Sequence, residues 1–240
     1  MYKYPKTPRL NNIDEKELSS WKKLSTVIEE KIDGACAGIY FDDENNLVLQ
    51  SRGHILVGGA REAQFNLFKS WAFERSNDLY DVLGNKYVMF GEWCYAKHRC
   101  FYDSLPSFFI EFDVFDKENN IFLSTKRRKE LISNKINSIA IIHEDQFDKI
   151  NNFGQYITKS NYKTDKCSDL FKEIMNNGMN AYYKHEETDM TDLMEGVYVK
   201  VEDDDKVIGR FKLLRDGFDK VRMDDDRWQR RPIFQNRICK

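Results

Sequence analysis

The stretch VIEEKIDGACAGIYF, Val27 to Phe41, reads as two apolar strand segments separated by a charged step. Glu29, Glu30 and Lys31 stand together, Asp33-Gly34 follows, and apolar residues then resume. Lysine is seldom fully buried, and glycine weakens a strand interior. Two readings compete: a surface hairpin with ordinary charges, or a lysine positioned as a nucleophile. A free lysine amine, with a pKa of about 10.4, stays protonated near neutral pH until burial or nearby cations lower that value. Lys-x-Asp-Gly alone is a short pattern that surface turns also produce. The rest of the chain has to decide.

The 240 residues suffice for one sizeable core. Hydrophobic residues at 41% and aromatics at 14% exclude a disordered chain. A net charge of −2 gives no global basic field, which argues against non-specific coating of nucleic acid but leaves local patches open. No apolar run approaches the roughly 20 residues of a membrane span. The start, MYKYPKTPRL, lacks the apolar core of a secretory signal. An odd 5 cysteines without a disulfide-framework spacing suit a reducing compartment. The expectation is a cytoplasmic protein away from membranes.

GACAGIYF and NLVLQSR flank Asp42–Asn46 as a hairpin. Helical spacing runs from Ala60 to Leu83, with Gly84 as a stop. KYVMFGEWCYA reads as a strand, and SFFIEFDVFD with IFLS as a second hairpin. Ser124 can cap a helix through TKRRKELISNKI, and Ser168 or Asp169 can open another through SDLFKEIMNNG. GVYVKVE and KVIGRFKLLR close the pattern as a third hairpin. The fold class expected is α+β, with mainly antiparallel sheets flanked by helices. Residues 1–215 form one domain, and 216–240 a short tail too small for a separate core.

Chemistry-bearing residues recur along these elements. QSRG places Arg52 at the end of the strand paired with the lysine strand. FGEW puts Glu92 on a strand, and FDVFD offers Phe112 as a flat stacking surface. EGVYVK sets Glu195 at a strand start, and RFK puts Arg210 and Lys212 on one strand face. Cys94, His98 and Cys100 lack an evident fourth zinc ligand nearby. KRRK, Lys126 to Lys129, is either a solvated helix face or an RNA-backbone patch.

With EKIDG, SRG, FGEW, FDVFD, EGVYVK and RFK in this order, the chain resembles the covalent nucleotidyltransferases, and within them the bacteriophage RNA ligase 2-like family. GEWCYAKHRCFYDSLPSFFIEFDVFD is especially similar. The resemblance implies an ATP-grasp-like nucleotidyltransferase core and an ATP-dependent RNA ligase acting in RNA repair. Lys31 would attack the α-phosphate of ATP to give a lysyl-AMP. Glu30 would hold the adenine edge through its backbone, Phe112 would stack on the base, and Glu92 would accept from the ribose. Glu195, with Asp33 through water, would hold Mg²⁺ or Mn²⁺. Arg210 and Lys212 would neutralise the α-phosphate, Arg52 would contact the ribose of the nucleotide or the 5′-phosphate side of the nucleic acid, and Lys97 would contact nucleic acid. Arg210 stands where lysine is common, and Cys36 where a polar amide is frequent. The partners implied are RNA ends, foremost a nicked duplex, joined by a monomer or with a partner protein that recognises the ends. A minimal DNA ligase, a capping-type enzyme and an inactive nucleic-acid-binding relic are the alternatives.

Overall fold

The computed structural model describes residues 1–220 and 231–239. Two antiparallel sheets carry it. The first contains β1 (Ser25–Lys31), β7 (Ile141–Gln146), β8 (Gly196–Glu202) and β9 (Val207–Leu214), in the order β7-β1-β8-β9. The second contains β2 (Ala35–Phe41), β3 (Leu47–Ser51), β4 (Tyr87–Trp93), β5 (Phe109–Asp116) and β6 (Ile121–Phe122), in the order β3-β2-β4-β5-β6. The opening stretch is therefore divided between them: Lys31 ends a strand of one sheet, and Ala35 begins a strand of the other. Arg52, expected on the strand paired with the lysine strand, instead follows β3, which pairs with β2 in the opposite sheet.

All three expected hairpins form. The helical stretch from Ala60 breaks into a 3-10 segment (Ala60–Phe65), α2 (Asn66–Glu74) and α3 (Ser76–Leu83). Phe68, Ala72, Leu79 and Leu83 are its buried face, packed on Ile39, Met89 and Trp93 of the second sheet. Ser124 caps α4 (Thr125–Ile132) by accepting from the Arg127 amide. The last helix, α5 (Cys167–Asn176), starts ahead of Ser168 and Asp169 because Cys167 packs with Phe101, Phe171 and Phe234. A further short helix, α1 (Glu15–Ser20), leads into Trp21, which stacks on Phe211 with ring centroids 6.1 Å apart. A Cβ on Gly209 would lie 2.2 Å from the Trp21 ring, so only glycine fits beneath it. No helix among the described residues is long and apolar enough to cross a membrane.

The expected tail is built into the body where it is described. Phe218 is buried beside Ile32 and Tyr102. Asn236 accepts from the Tyr102 amide and donates to the Cys94 carbonyl, at 2.9 and 2.8 Å. Residues 221–230 and 240 of that segment lie outside the described residues.

Between the sheets runs a buried chain of charges. Arg128 of α4 reaches Glu29 at 2.6 Å and Glu111 at 3.4 Å. Lys200 joins Glu29 at 2.9 Å to Asp113 at 3.2 Å, and Asp113 meets Arg210 at 3.1 Å. The Lys126–Lys129 cluster is thus split: Lys126 and Lys129 are exposed, whereas Arg128 is fully buried. Removing one partner of a buried ion pair leaves the other uncompensated, at a cost of about 3–5 kcal/mol. Arg128→Met should lower unfolding free energy in urea by about that amount, and Lys126→Ala by no more than about 0.5 kcal/mol. Equal losses for the two would show that Arg128 carries no special weight.

Candidate active site

On β1 successive side chains alternate in direction, so Glu29 and Lys31 share one face and Glu30 takes the other. Each charge finds its own partner. Glu30 accepts from the Ser160 hydroxyl and from the Asn161 amide and side chain, the latter two at 2.9 Å. Burial pushes the Glu30 carboxyl up, and these hydrogen bonds oppose that push. The Glu30 amide donates to the Ala140 carbonyl at 3.0 Å.

Lys31 pairs in register with Gly196, which sets Glu195 beside it. The Lys31 ammonium donates to Glu195 Oε2 at 2.9 Å. Burial works against that ammonium, but Glu195, Glu92 and Asp33 outweigh it and raise the lysine pKa. The lysine is held protonated here. Burial in turn raises Glu92 to about 8 and Glu195 to about 7, although Lys31 pulls both down.

The cleft between the sheets encloses about 540 Å³. Of the residues singled out by sequence, Glu30, Lys31, Asp33, Arg52, Glu92, Phe112 and Lys212 line it. Phe112 presents its ring there and meets Tyr4 edge-on at 5.1 Å. Its carbonyl accepts from both Arg128 and Lys200, so the buried charge chain fixes the backbone that carries the ring. Burial first, and then the charge of Lys31, lower the Lys212 pKa. The Cys36 thiol is pushed up to about 12 by burial and Glu92, which keeps it protonated. At Gly34 a Cβ would lie 2.8 Å from the Trp93 carbonyl oxygen, so glycine is required there by the crossing chain.

Asp33 is a staple as well as a wall. Its Oδ2 accepts from the Arg99 and Cys100 amides at 2.6 and 2.9 Å. Asp33, Glu92 and Glu195 crowd around Lys31, a surplus of carboxylate that an oxygen-preferring divalent cation would relieve. Among the described residues no group of three or more His, Cys, Asp or Glu side chains forms a ready metal cage.

Two expected residues lie elsewhere. Arg210 does not line the cleft. Its guanidinium pairs with Asp113 and sits 4.1 Å over the Phe122 ring, a neutralising site already filled by the protein. Lys97 is only 3% exposed and donates to the His98 carbonyl at 2.8 Å. Its ammonium faces Phe171, Tyr183 and Phe234, where burial lowers its pKa to about 8. It is enclosed by these rings rather than lining the cleft. Sequence reading missed Tyr4, Thr7 and Tyr198, which form a further wall. The Tyr4 hydroxyl bonds Asp113, Tyr198 and Arg210, and Thr7 bonds Tyr198 at 2.9 Å. The alternating aromatics of MYKYP were the available signal.

The sequence model of the RNA ligase family matches residues 24–214. No curated protein matches the chain. Solved structures of Naegleria gruberi RNA ligase share the fold. A variant with AMP and Mn aligns with TM-score 0.59 and 15% identity, covering 92% of this chain and 59% of that one. The form with pyrophosphate aligns with TM-score 0.56 and 16% identity, covering 91% and 57%. A variant with ATP and Mn gives TM-score 0.56 and 15% identity, covering 89% and 56%. This chain thus spans less than three-fifths of the length of the solved structures it matches.

The raised Glu92 carboxyl gives a pH-dependent outcome. A carboxyl whose pKa is raised by folding binds its proton more tightly in the folded state. Its ionisation therefore costs stability as pH climbs from the ordinary carboxylate range to about 8, and the full cost remains above that. Glu92→Gln removes the cost, so its gain in melting temperature should be several degrees larger at pH 9 than at pH 4.5. A larger gain on the acid side would contradict this electrostatic account.

Proposed function

The chain belongs to the RNA ligase family, and we propose that it is an ATP-dependent RNA ligase working through Lys31. The observation that carries this reading is Lys31 in the cleft, bonded to Glu195 and sharing the walls with Phe112, Glu92, Arg52 and Lys212. These residues supply an amine, an aromatic platform, a carboxylate for a sugar hydroxyl and two cations for phosphate. In the first step the neutral Lys31 amine attacks the α-phosphorus of ATP. A nitrogen–phosphorus bond forms, the bond to the bridging oxygen breaks, and pyrophosphate leaves. The adenylyl group then passes to a 5′-phosphate, and a 3′-hydroxyl displaces AMP to form the phosphodiester. Nicked duplex RNA is the first substrate to test.

Positioning and charge neutralisation dominate such an in-line displacement. Phe112 would fix the base, Glu92 the ribose, and Lys212 the developing charge on the α-phosphate. Arg52, exposed at the rim, would meet the nucleic acid. Glu195, with Asp33 through water, would hold Mg²⁺ or Mn²⁺, which supplies charge withdrawal at the phosphate. The proton on Lys31 is the remaining obstacle. Glu195 stabilises it in the resting site, so a Glu195 engaged elsewhere frees the amine to lose it.

Incubation with α-labelled ATP should yield an adduct that mass spectrometry places on Lys31, and Lys31→Ala should abolish it. Label on another lysine would refute the assignment. Glu195→Gln should slow adduct formation by tenfold or more, about 1.4 kcal/mol of barrier. In metal-free protein the same change should shift the reaction of Lys31 with an amine-modifying reagent to lower pH, because the stabilising carboxylate is gone. An unchanged reactivity profile would reduce Glu195 to a structural role.

A further inference from the structure

The loop after β3 carries an arrangement that the ligation scheme above leaves unused. Ser51 Oγ lies 2.9 Å from His54 Nδ1, and His54 Nε2 lies 3.4 Å from Glu62 Oε1. Glu62 is buried, accepts from the Gly58 amide at 2.8 Å and pairs with Lys69 at 2.6 Å. Burial opposes its charge, but Lys69 and the amides of Gly58 and Val57 outweigh burial and hold it below its ordinary pKa. His54 is half exposed and lines the same cleft as Arg52 and Lys31.

The ring is held on both sides. The Ser51 hydroxyl donates to the His54 carbonyl at 3.3 Å, and its oxygen accepts from the Gly53 and His54 amides. The same Oγ lies against Nδ1, which ties one side of the ring to the loop. Nε2 faces a carboxylate, where a lone pair would be repelled, so Nε2 is the nitrogen that presents an N–H. At 3.4 Å that contact is longer than a strong hydrogen bond, which lets the Nε2–H be shared with a ligand.

We propose that His54 is a phosphate-binding residue at the mouth of the cleft, acting with Arg52, and that Glu62 is the positioning residue that orients its imidazole ring. The inference rests on the ligase reading. Its ligand is a phosphate ester, either the polyphosphate of ATP or the 5′ end of RNA. Glu62 also holds the Gly58 amide, so the loop and the ring are set by one carboxylate.

The test uses the full chain in two arms. One measures lysyl-adduct formation against ATP concentration; the other measures joining of a chemically pre-adenylylated RNA strand against strand concentration. His54→Gln should raise KM about ten- to a hundredfold in at least one arm with kcat nearly preserved, as loss of a charge-assisted hydrogen bond does. His54→Arg, which offers N–H donors to phosphate but cannot serve as a base, should restore most of it. The arm that moves identifies the phosphate. An unchanged KM in both arms, or equal failure of His54→Gln and His54→Arg, would overturn the proposal. Wild-type protein inactive in both arms would overturn the ligase reading and this inference with it.

Discussion

The buried charge chain from Glu111 through Arg128, Glu29, Lys200 and Asp113 to Arg210 is the constraint on which the rest depends. It draws three residues from the first sheet, two from the second and one from α4, and it balances three carboxylates against three cations. Apolar packing alone could let two sheets slide; an ion chain of fixed lengths admits one placement. Such a chain need not add net stability over an apolar replacement, because desolvation offsets much of the attraction. What it supplies is geometry. Arg128 and Lys200 both donate to the Phe112 carbonyl, so the same charges that join the sheets hold the aromatic wall of the cleft.

The resting site is arranged against the chemistry proposed for it. Lys31 is stabilised as an ammonium by three carboxylates, two of them pushed toward neutrality by burial. A lysine kept protonated cannot attack stray electrophiles, and the surrounding carboxylates favour an incoming cation. The strain is shared among Asp33, Glu92 and Glu195, and binding of cations and substrate would relieve it. A site built for uniform comfort in the unliganded state would lack that driving force.

Local pattern was enough for the three hairpins and for the Ser124 cap, because each depends on neighbours in sequence; the cleft joins residues as far apart as Lys31 and Glu195, and the order of the motifs, not local pattern, pointed to them. It was not enough for Arg128, Lys97 and Arg210. A basic residue on a helix reads as exposed unless its acidic partners are known, and Glu29 is 99 residues from Arg128. Lys97 stands in a segment rich in family-like residues, yet its surroundings come from Phe171, Tyr183 and Phe234, distant in the chain. Arg210 alternates correctly with Lys212, but Asp113 and Phe122 capture it. The edge strand β7 was missed because IIHEDQ carries little apolar signal; β1 recruits it by pairing.

The opening puzzle of a lysine and two glutamates on a buried strand resolves through alternation. Glu29 enters the charge chain, Glu30 turns to Ser160 and Asn161, and Lys31, on the same face as Glu29, reaches the cleft. Fixing Glu29 between Arg128 and Lys200 therefore fixes the face and height of Lys31 two residues on. Immediately beyond it, Asp33 and Gly34 carry the chain from one sheet to the other, Asp33 stapled to the Arg99 and Cys100 amides and Gly34 pressed against Trp93. A side chain at position 34 would push the start of β2 away from β4, its neighbour in the second sheet. The short Lys-x-Asp-Gly pattern is thus a junction before it is a site, and the lysine owes its position in the cleft to that junction.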